Sequence, residues 1–376
     1  MKKVQYLLFF IIFLSCSKDK GMIIIDKTVV NNSIKSEKIT SIEEQLIDTT
    51  IFKNYDVIPL ETTNESLFRQ IDRICKYTDR IYIFDKSLNK MIIFDDKGKY
   101  LNQIHNIGQG PKEYNSAIDF CIDETNNDLI LLCDRPYKVM RFSREGEFIN
   151  EKTFLGLKTA ITMDSGYFFC ESSDSQSKYD IDCLDKNFNL VYSRLSKLKN
   201  VTNSCYSNGK SLVKSKNINY SRRFDSSIYC LSNDSIVKKY EFDFGKYKAP
   251  IDLANENDCK KFFDAIRENN YIFSITNVIE SERYILFNTN RYICLYDKQN
   301  NTLNAYNFLY NPSLKYGSNN FYPNEGDANS ITVSIQPDKL LYYDEKSIKN
   351  NADLKNLINN SKEDDNPVLI FYQFKE

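Results

Sequence analysis

Apolar residues along this chain fall in short runs broken by polar turns, and the runs recur as one unit. Arg80 to Ile104 reads RIYIFDKSLNKMIIFDDKGKYLNQI, and Asp128 to Glu151 reads DLILLCDRPYKVMRFSREGEFINE. In both, an apolar strand ends at an aspartate (Asp85, Asp134). A second strand enters a tight polar turn (Asp95-Asp96-Lys97-Gly98, Ser143-Arg144-Glu145-Gly146), and a third leaves it (Tyr100-Leu101, Phe148-Ile149). Runs this short, bounded by Asp, Asn, Ser and Gly, predict strands. Self-similarity at this period predicts a radial array of small sheets, an all-β propeller.

The turn after each unit's middle strand serves as a ruler. It recurs at Asp95, Ser143, Asp185, Ser232 and Asp297, in steps of 48, 42, 47 and 65 residues. Within the long step, Cys259, Phe262, Phe263 and Ile266 fall at helical spacing behind Asp252 as a cap. A helical insert near residues 252–272 therefore restores the period. Asp344, in LLYYDEK, gives a sixth mark, and Leu354, Leu357 and Ile358 predict a second helical insert near 352–360. Six marks predict a six-bladed β-propeller over residues 48–376. Unpaired strand edges invite association, so the ring is expected to close by mixing the chain's two ends, Val57–Leu60 beside Val368–Phe374.

The first residues carry an address. Lys2 and Lys3 precede the apolar run Leu7 to Leu14, which is too short to span a bilayer. The run ends in Phe13-Leu14-Ser15-Cys16, which resembles the lipobox cut by the bacterial lipoprotein signal peptidase. Residues 1–15 are therefore read as a signal peptide, Cys16 as the lipidated residue, and polar residues 16–47 as a membrane tether. Acyl chains anchor at about 0.8 kcal/mol per buried CH₂, and two or three together hold stably.

Composition narrows the chemistry. A formal charge of -1 with acids and bases interspersed leaves no nucleic-acid footprint. His105 is the single histidine, which removes any multi-histidine metal site. Apart from Cys16, nine cysteines remain, mostly inside apolar runs such as LILLCD and YFFCE, where they read as buried free thiols. Spacing does not pair any of them.

From Gly108 the chain reads GQGPKEYNSAIDFCIDETNNDLILLCD, which resembles an NHL-type propeller repeat. More closely, the chain is similar to the six-bladed β-propeller lipoproteins of Bacteroidota. The match lies in Ile58-Pro59-Leu60-Glu61-Thr62, Gly108-Gln109-Gly110-Pro111 with Glu113-Tyr114, Ser232-Asn233-Asp234-Ser235, and Glu363-Asp364-Asp365-Asn366-Pro367-Val368-Leu369-Ile370. Lys112 departs from the second Gly of the family's GPGEY string. The charged stretch Ser17-Lys18-Asp19-Lys20 resembles the signal that sends such lipoproteins to the cell surface. The resemblance implies an outer-membrane lipoprotein, at the cell surface or the periplasmic face, and assigns no catalytic residues.

Two places are candidates for function. Gln109, Lys112, Glu113 and Tyr114 lie on a crossover expected to rim the ring's mouth and to contact a ligand. Asp119, on the inner strand that follows, is the candidate channel acid. Asp185-Lys186-Asn187-Phe188-Asn189 mimics the start of a calcium loop, but Leu190 and Ser196 stand where its Gly and Glu belong. It matches the Asp95–Lys99 turn instead. The expected function is a recognition module without cofactor or metal. Its ligand stays open between a glycan, a peptide and a protein partner in an outer-membrane uptake complex. The alternative is a calcium-dependent hydrolase or lyase working through channel carboxylates.

Overall fold

A computed structural model describes residues 30–39, 41–154, 156–174, 176–205, 208–325, 329–340 and 352–375. Cys16 and Asp344 lie outside them. Six sheets form six blades. Blade 1 runs outward from the axis through Arg73–Tyr77, Arg80–Asp85, Lys90–Asp95 and Tyr100–Ile104. Blade 2 holds Ser116–Asp123, Asp128–Arg135, Tyr137–Phe142 and Phe148–Thr153, and blade 3 holds Lys158–Asp164, Tyr167–Ser172, Tyr179–Leu184 and Leu190–Ser196. Blade 4 is Leu212–Lys214, Ile218–Tyr220, Ser227–Leu231 and Ile236–Asp243, and blade 5 is Ile275–Glu280, Tyr284–Thr289, Ile293–Asp297 and Thr302–Asn311.

The second and third strands of most blades read as continuous apolar runs because both faces of a blade are covered. In Arg80–Asp85, Tyr82 and Phe84 pack toward blade 2, while Ile81 and Ile83 pack toward blade 6. Alternation at a period of two thus feeds two different cores. Six such cores, one between each pair of neighbouring blades, make up the ring's interior. The ruler turns have a shared cause. Asp95 Oδ1 accepts from the Lys97 and Lys99 N–H groups at 2.9 and 2.8 Å, and Asp185 Oδ1 from Asn187 and Asn189, both at 2.8 Å. The calcium-like string at Asp185 is therefore the same self-capped turn.

Blade 6 contains Tyr322–Pro323, Ser330–Ile335 and Val368–Phe374, and its outer strand is Phe52–Pro59 from the other end of the chain. Ile58 sits opposite Leu369 and Val57 opposite Ile370, the closure expected from sequence. A third-to-fourth-strand turn cannot exist in this blade, because those strands are joined only through the ring.

The tether reading needs correction from residue 30 onward. Val30–Lys38 pairs in parallel with the outer strand of blade 4, and Ile42–Ile47 in parallel with that of blade 5. The two strands form a belt over successive blades before the chain enters blade 6. Sequence hides the belt because only one edge of it packs inward. Val30–Lys38 is mostly exposed, while Ile39 and Leu46 are each 2% exposed.

Both helical inserts are present, Cys259–Asn269 after two short 3₁₀ turns and Ala352–Asn360. The cap of the first is Asp258, which accepts from the Lys260 and Lys261 N–H groups, and not Asp252, which lies in a 3₁₀ turn. Cys259 is disulfide-bonded to Cys205; the other seven described cysteines are not disulfide-bonded.

Candidate functional site

The inner strands surround a cavity of about 1190 Å³ to which all six blades contribute. Its wall comes from the starts of inner strands, the crossovers that feed them, and turns between second and third strands. One side is raised by the two segments that the disulfide joins. Asn203, in the crossover from blade 3 to blade 4, donates to the Leu253 and Glu256 carbonyls of the insert between blades 4 and 5. Phe262, Ile266 and Phe273 bury against Cys205 behind it.

A network of charges crosses the axis. Asp119 is fully buried, with Oδ1 accepting from Arg73 Nε at 3.0 Å and Oδ2 from the Ile161 N–H at 2.9 Å. Lys210 Nζ lies 3.3 Å from Asp119 Oδ2 and 2.8 Å from Glu325 Oε1, the latter a contact of charges without hydrogen-bond alignment. Lys210 also donates to the Ile161 carbonyl at 3.2 Å. Burial works to lower the lysine's pKa, but Asp119 and then Glu325 override it and hold it above its ordinary value. Burial outweighs Lys210 at Glu325, whose pKa is raised.

Asn277 supplies the remaining blade. Its Oδ1 accepts from the Lys210 N–H at 2.7 Å and its Nδ2 donates to the Phe321 carbonyl at 2.9 Å, from a left-handed backbone with φ +55°. Asparagine tolerates that conformation better than most residues. Beside it, Gly209 has φ +99°, and a Cβ there would stand 2.4 Å from Thr276 Oγ1. The glycine lets Lys210 reach the axis.

A second group lies between blades 3 and 4. Glu171 Oε2 accepts from Ser211 Oγ at 2.8 Å and Thr159 Oγ1 at 2.9 Å, and Oε1 accepts from Tyr220 OH at 3.1 Å. Burial lifts its pKa above the ordinary range despite these hydroxyls. Arg222 binds Asp180 at 2.9 Å and Asp225 at 3.0 Å. Across the cavity, Arg69 and Lys86 line the blade 1 side with exposed side chains.

The sequence candidates divide. Asp119 lies at the axis, with both oxygens engaged by Arg73, Lys210 and a backbone amide. Gln109, Lys112, Glu113 and Tyr114 are not among the cavity's lining residues. Tyr114 is buried and donates to the Asn89 carbonyl at 2.7 Å; Glu113 Oε2 accepts from the Gly110 N–H at 2.8 Å; Lys112 Nζ sits 5.4 Å from the Phe148 ring centre. Gln109 is exposed on the crossover. Sequence reasoning missed Arg73, Glu171, Lys210, Asn277 and Glu325. For Arg73, Lys210, Asn277 and Glu325 the available signal was a charged or amide residue in or beside a short inner strand, whereas Glu171 lies near the end of a second strand. Among the described residues, no three His, Cys, Asp or Glu side chains gather as a metal would require.

Residues 30–373 match the family described as "Domain of unknown function (DUF4934)". No curated protein matches. Among solved structures, a Bacteroides fragilis protein described as exported superposes with a TM-score of 0.70 at 21% identity, covering 93% of this chain and 100% of that one. A Bacteroides vulgatus protein described as a member of the duf4221 family gives 0.46 at 9% identity, over 86% of this chain and 97% of its own. The first likeness shows the propeller fold.

Proposed function

The chain belongs to the DUF4934 family, and from that premise we propose that it is a lipid-anchored, extracytoplasmic recognition module. The ring is a rigid scaffold, and the six-blade cavity holds a polar ligand for an outer-membrane uptake complex. The observation that carries this reading is the cavity itself: a concave site of ligand size at the ring's mouth, lined by hydroxyl, amide and charged groups. The signal peptide and the Cys16 lipobox support the location. The Cys205–Cys259 bond is of the kind that persists in oxidising compartments, and among the described residues no helix is long and apolar enough to cross a membrane.

Channel carboxylates serve this reading better than the calcium-enzyme alternative. An ion would have to displace Arg73 and Lys210 from Asp119 and Lys210 from Glu325, while Glu171 is bound to hydroxyls and Asp180 to guanidinium.

The test has two parts. Labelling with a palmitate analogue should mark the wild type and not Cys16→Ser, and the wild type should bring a constant partner set out of native outer membrane. Equal labelling of both proteins ends the lipoprotein claim. A partner set identical to that of an unrelated lipoprotein ends the recognition claim.

A further inference from the structure

The cavity's two sides differ in what they leave unspent. On the blade 1 side, Arg69 and Lys86 line the mouth. Their backbone amides are used, by Asp85 Oδ2 at 2.7 Å and Asp72 Oδ2 at 2.8 Å. Neither the guanidinium nor the ammonium has a hydrogen-bond or ion-pair partner among the described residues. On the facing side the acids are occupied. Glu171 is surrounded by three hydroxyls with its pKa raised by burial, and Asp180 is held by Arg222.

What remains open there is neutral. Ser172 and Ser274 are 3% and 2% exposed, line the cavity, and have hydroxyls with no hydrogen-bond partner among the described residues. Asp134 adds one buried, unpartnered oxygen, Oδ1, from blade 2. A buried polar atom without a partner costs free energy until something binds it.

Two free cations at one edge match an anionic group. Unspent hydroxyls and a carboxylate oxygen deeper in the wall match ligand hydroxyls, which a carboxylate accepts well. About 1190 Å³ exceeds the roughly 300–1,000 Å³ usual for small-molecule sites, so more than one small unit fits. We infer that the cavity takes an acidic oligosaccharide, its carboxylate or sulfate on Arg69 and Lys86 and its hydroxyls on Ser172, Ser274 and Asp134. This rests on the reading of the cavity as a ligand site and names the ligand's chemistry.

Calorimetric titration of the full mature chain tests it. The probes are oligogalacturonate and chondroitin sulfate fragments, methyl-esterified oligogalacturonate as the neutral counterpart, and a poly-glutamate peptide. The expected result is binding of at least one acidic saccharide, with the methyl ester at least 10-fold weaker. Arg69→Gln/Lys86→Gln should weaken the acidic saccharide about 10- to 100-fold, as loss of charge-assisted hydrogen bonds implies, and leave the melting temperature unchanged because both side chains are exposed. Ser172→Ala/Ser274→Ala should weaken saccharides several-fold and leave any peptide binding alone. Equal affinity for ester and acid would overturn the ligand class and keep the cavity as a site. Binding of poly-glutamate without saccharide would do the same. If the folded protein bound none of the probes, both the ligand class and the cavity reading would fall.

Discussion

Asp119→Asn probes the axial network most directly. The substitution keeps the side chain's shape but removes its charge and replaces one carboxylate oxygen with a donor facing either Arg73 or Lys210. Among the described residues, Lys210 is then left with Glu325 as its ion-pair partner. Breaking a buried ion pair from one side costs about 3–5 kcal/mol, because a charge stays buried without compensation. Arg73 is 21% exposed and recovers some solvation, while Lys210 is 4% exposed and recovers little. The low end, about 3 kcal/mol, is therefore expected. For a domain of roughly 330 residues, an unfolding entropy near 2.1 cal/mol/K per residue converts this to a fall of about 4 °C. Calorimetry measures it.

Adding Lys210→Met should recover at least half of that loss, since the stranded charge is what costs, and the pair should be non-additive because the side chains touch. A chelator should shift neither wild type nor variant. A melting temperature within 1 °C of wild type for Asp119→Asn, or full additivity with Lys210→Met, would refute the account. A calcium-reversible drop of several degrees on chelation would assign Asp119 to an ion site instead.

Three more expectations can be measured on the same protein. Cys205→Ser/Cys259→Ser opens a link spanning 54 residues, for which chain entropy gives about 4 kcal/mol at most; a loss of roughly 2–4 kcal/mol is expected, and reductant should reproduce it in the wild type. A wild-type melt indifferent to reductant would count against the bond. Burial holds Glu171 above its ordinary 4.5, so its stabilising effect is complete below the unfolded value and is lost as pH rises through the folded one. Glu171→Gln should therefore gain on the wild type between pH 4 and pH 8 in urea midpoints, and a gap that shrinks or stays fixed contradicts the assignment. Deleting Val368–Glu376 should prevent cooperative folding, because it removes the middle of blade 6 and bares the Ser330–Ile335 and Phe52–Pro59 edges. Deleting residues 17–41 should cost about 1.5–3 kcal/mol through Ile39 burial, with a further loss from blade 4's edge. A C-terminal truncation that melts like the full chain would rule out the closure.

The ring was legible because its period rests on local chemistry. Asp95, Asp185 and Asp297 cap their own turns, and the strands beside them carry apolar residues on both faces. Closure was legible because Val57 to Leu60 and Val368 to Phe374 were apolar strands without a sequential partner. The belt was not, since VNNSIKSEK alternates too weakly to mark a strand that pairs by backbone alone. The site was least legible. Asp119 could be placed on an inner strand, but its partners come from blades 46 and 91 residues away, through Arg73 and Lys210. The crossover Gly108–Tyr114 looked like a rim because of its glycines. In the structure those glycines serve Glu113's approach to the backbone, and a Cβ at Gly108 would stand 2.0 Å from Glu113 Oε2.

The belt also sets the length of the leash. Were the chain free until residue 47, a lipid on Cys16 would hold the ring by about 32 residues, roughly 110 Å at full extension. Because Val30 is already bonded to blade 4, a lipid on Cys16 would stand no more than 14 residues from the ring, a reach of about 50 Å at most. The attachment point also moves from the last blade to the edge of blade 4. An anchored ring would then hang from one side of its rim at short range, limiting how far its mouth can swing from the membrane and which neighbours there it can meet.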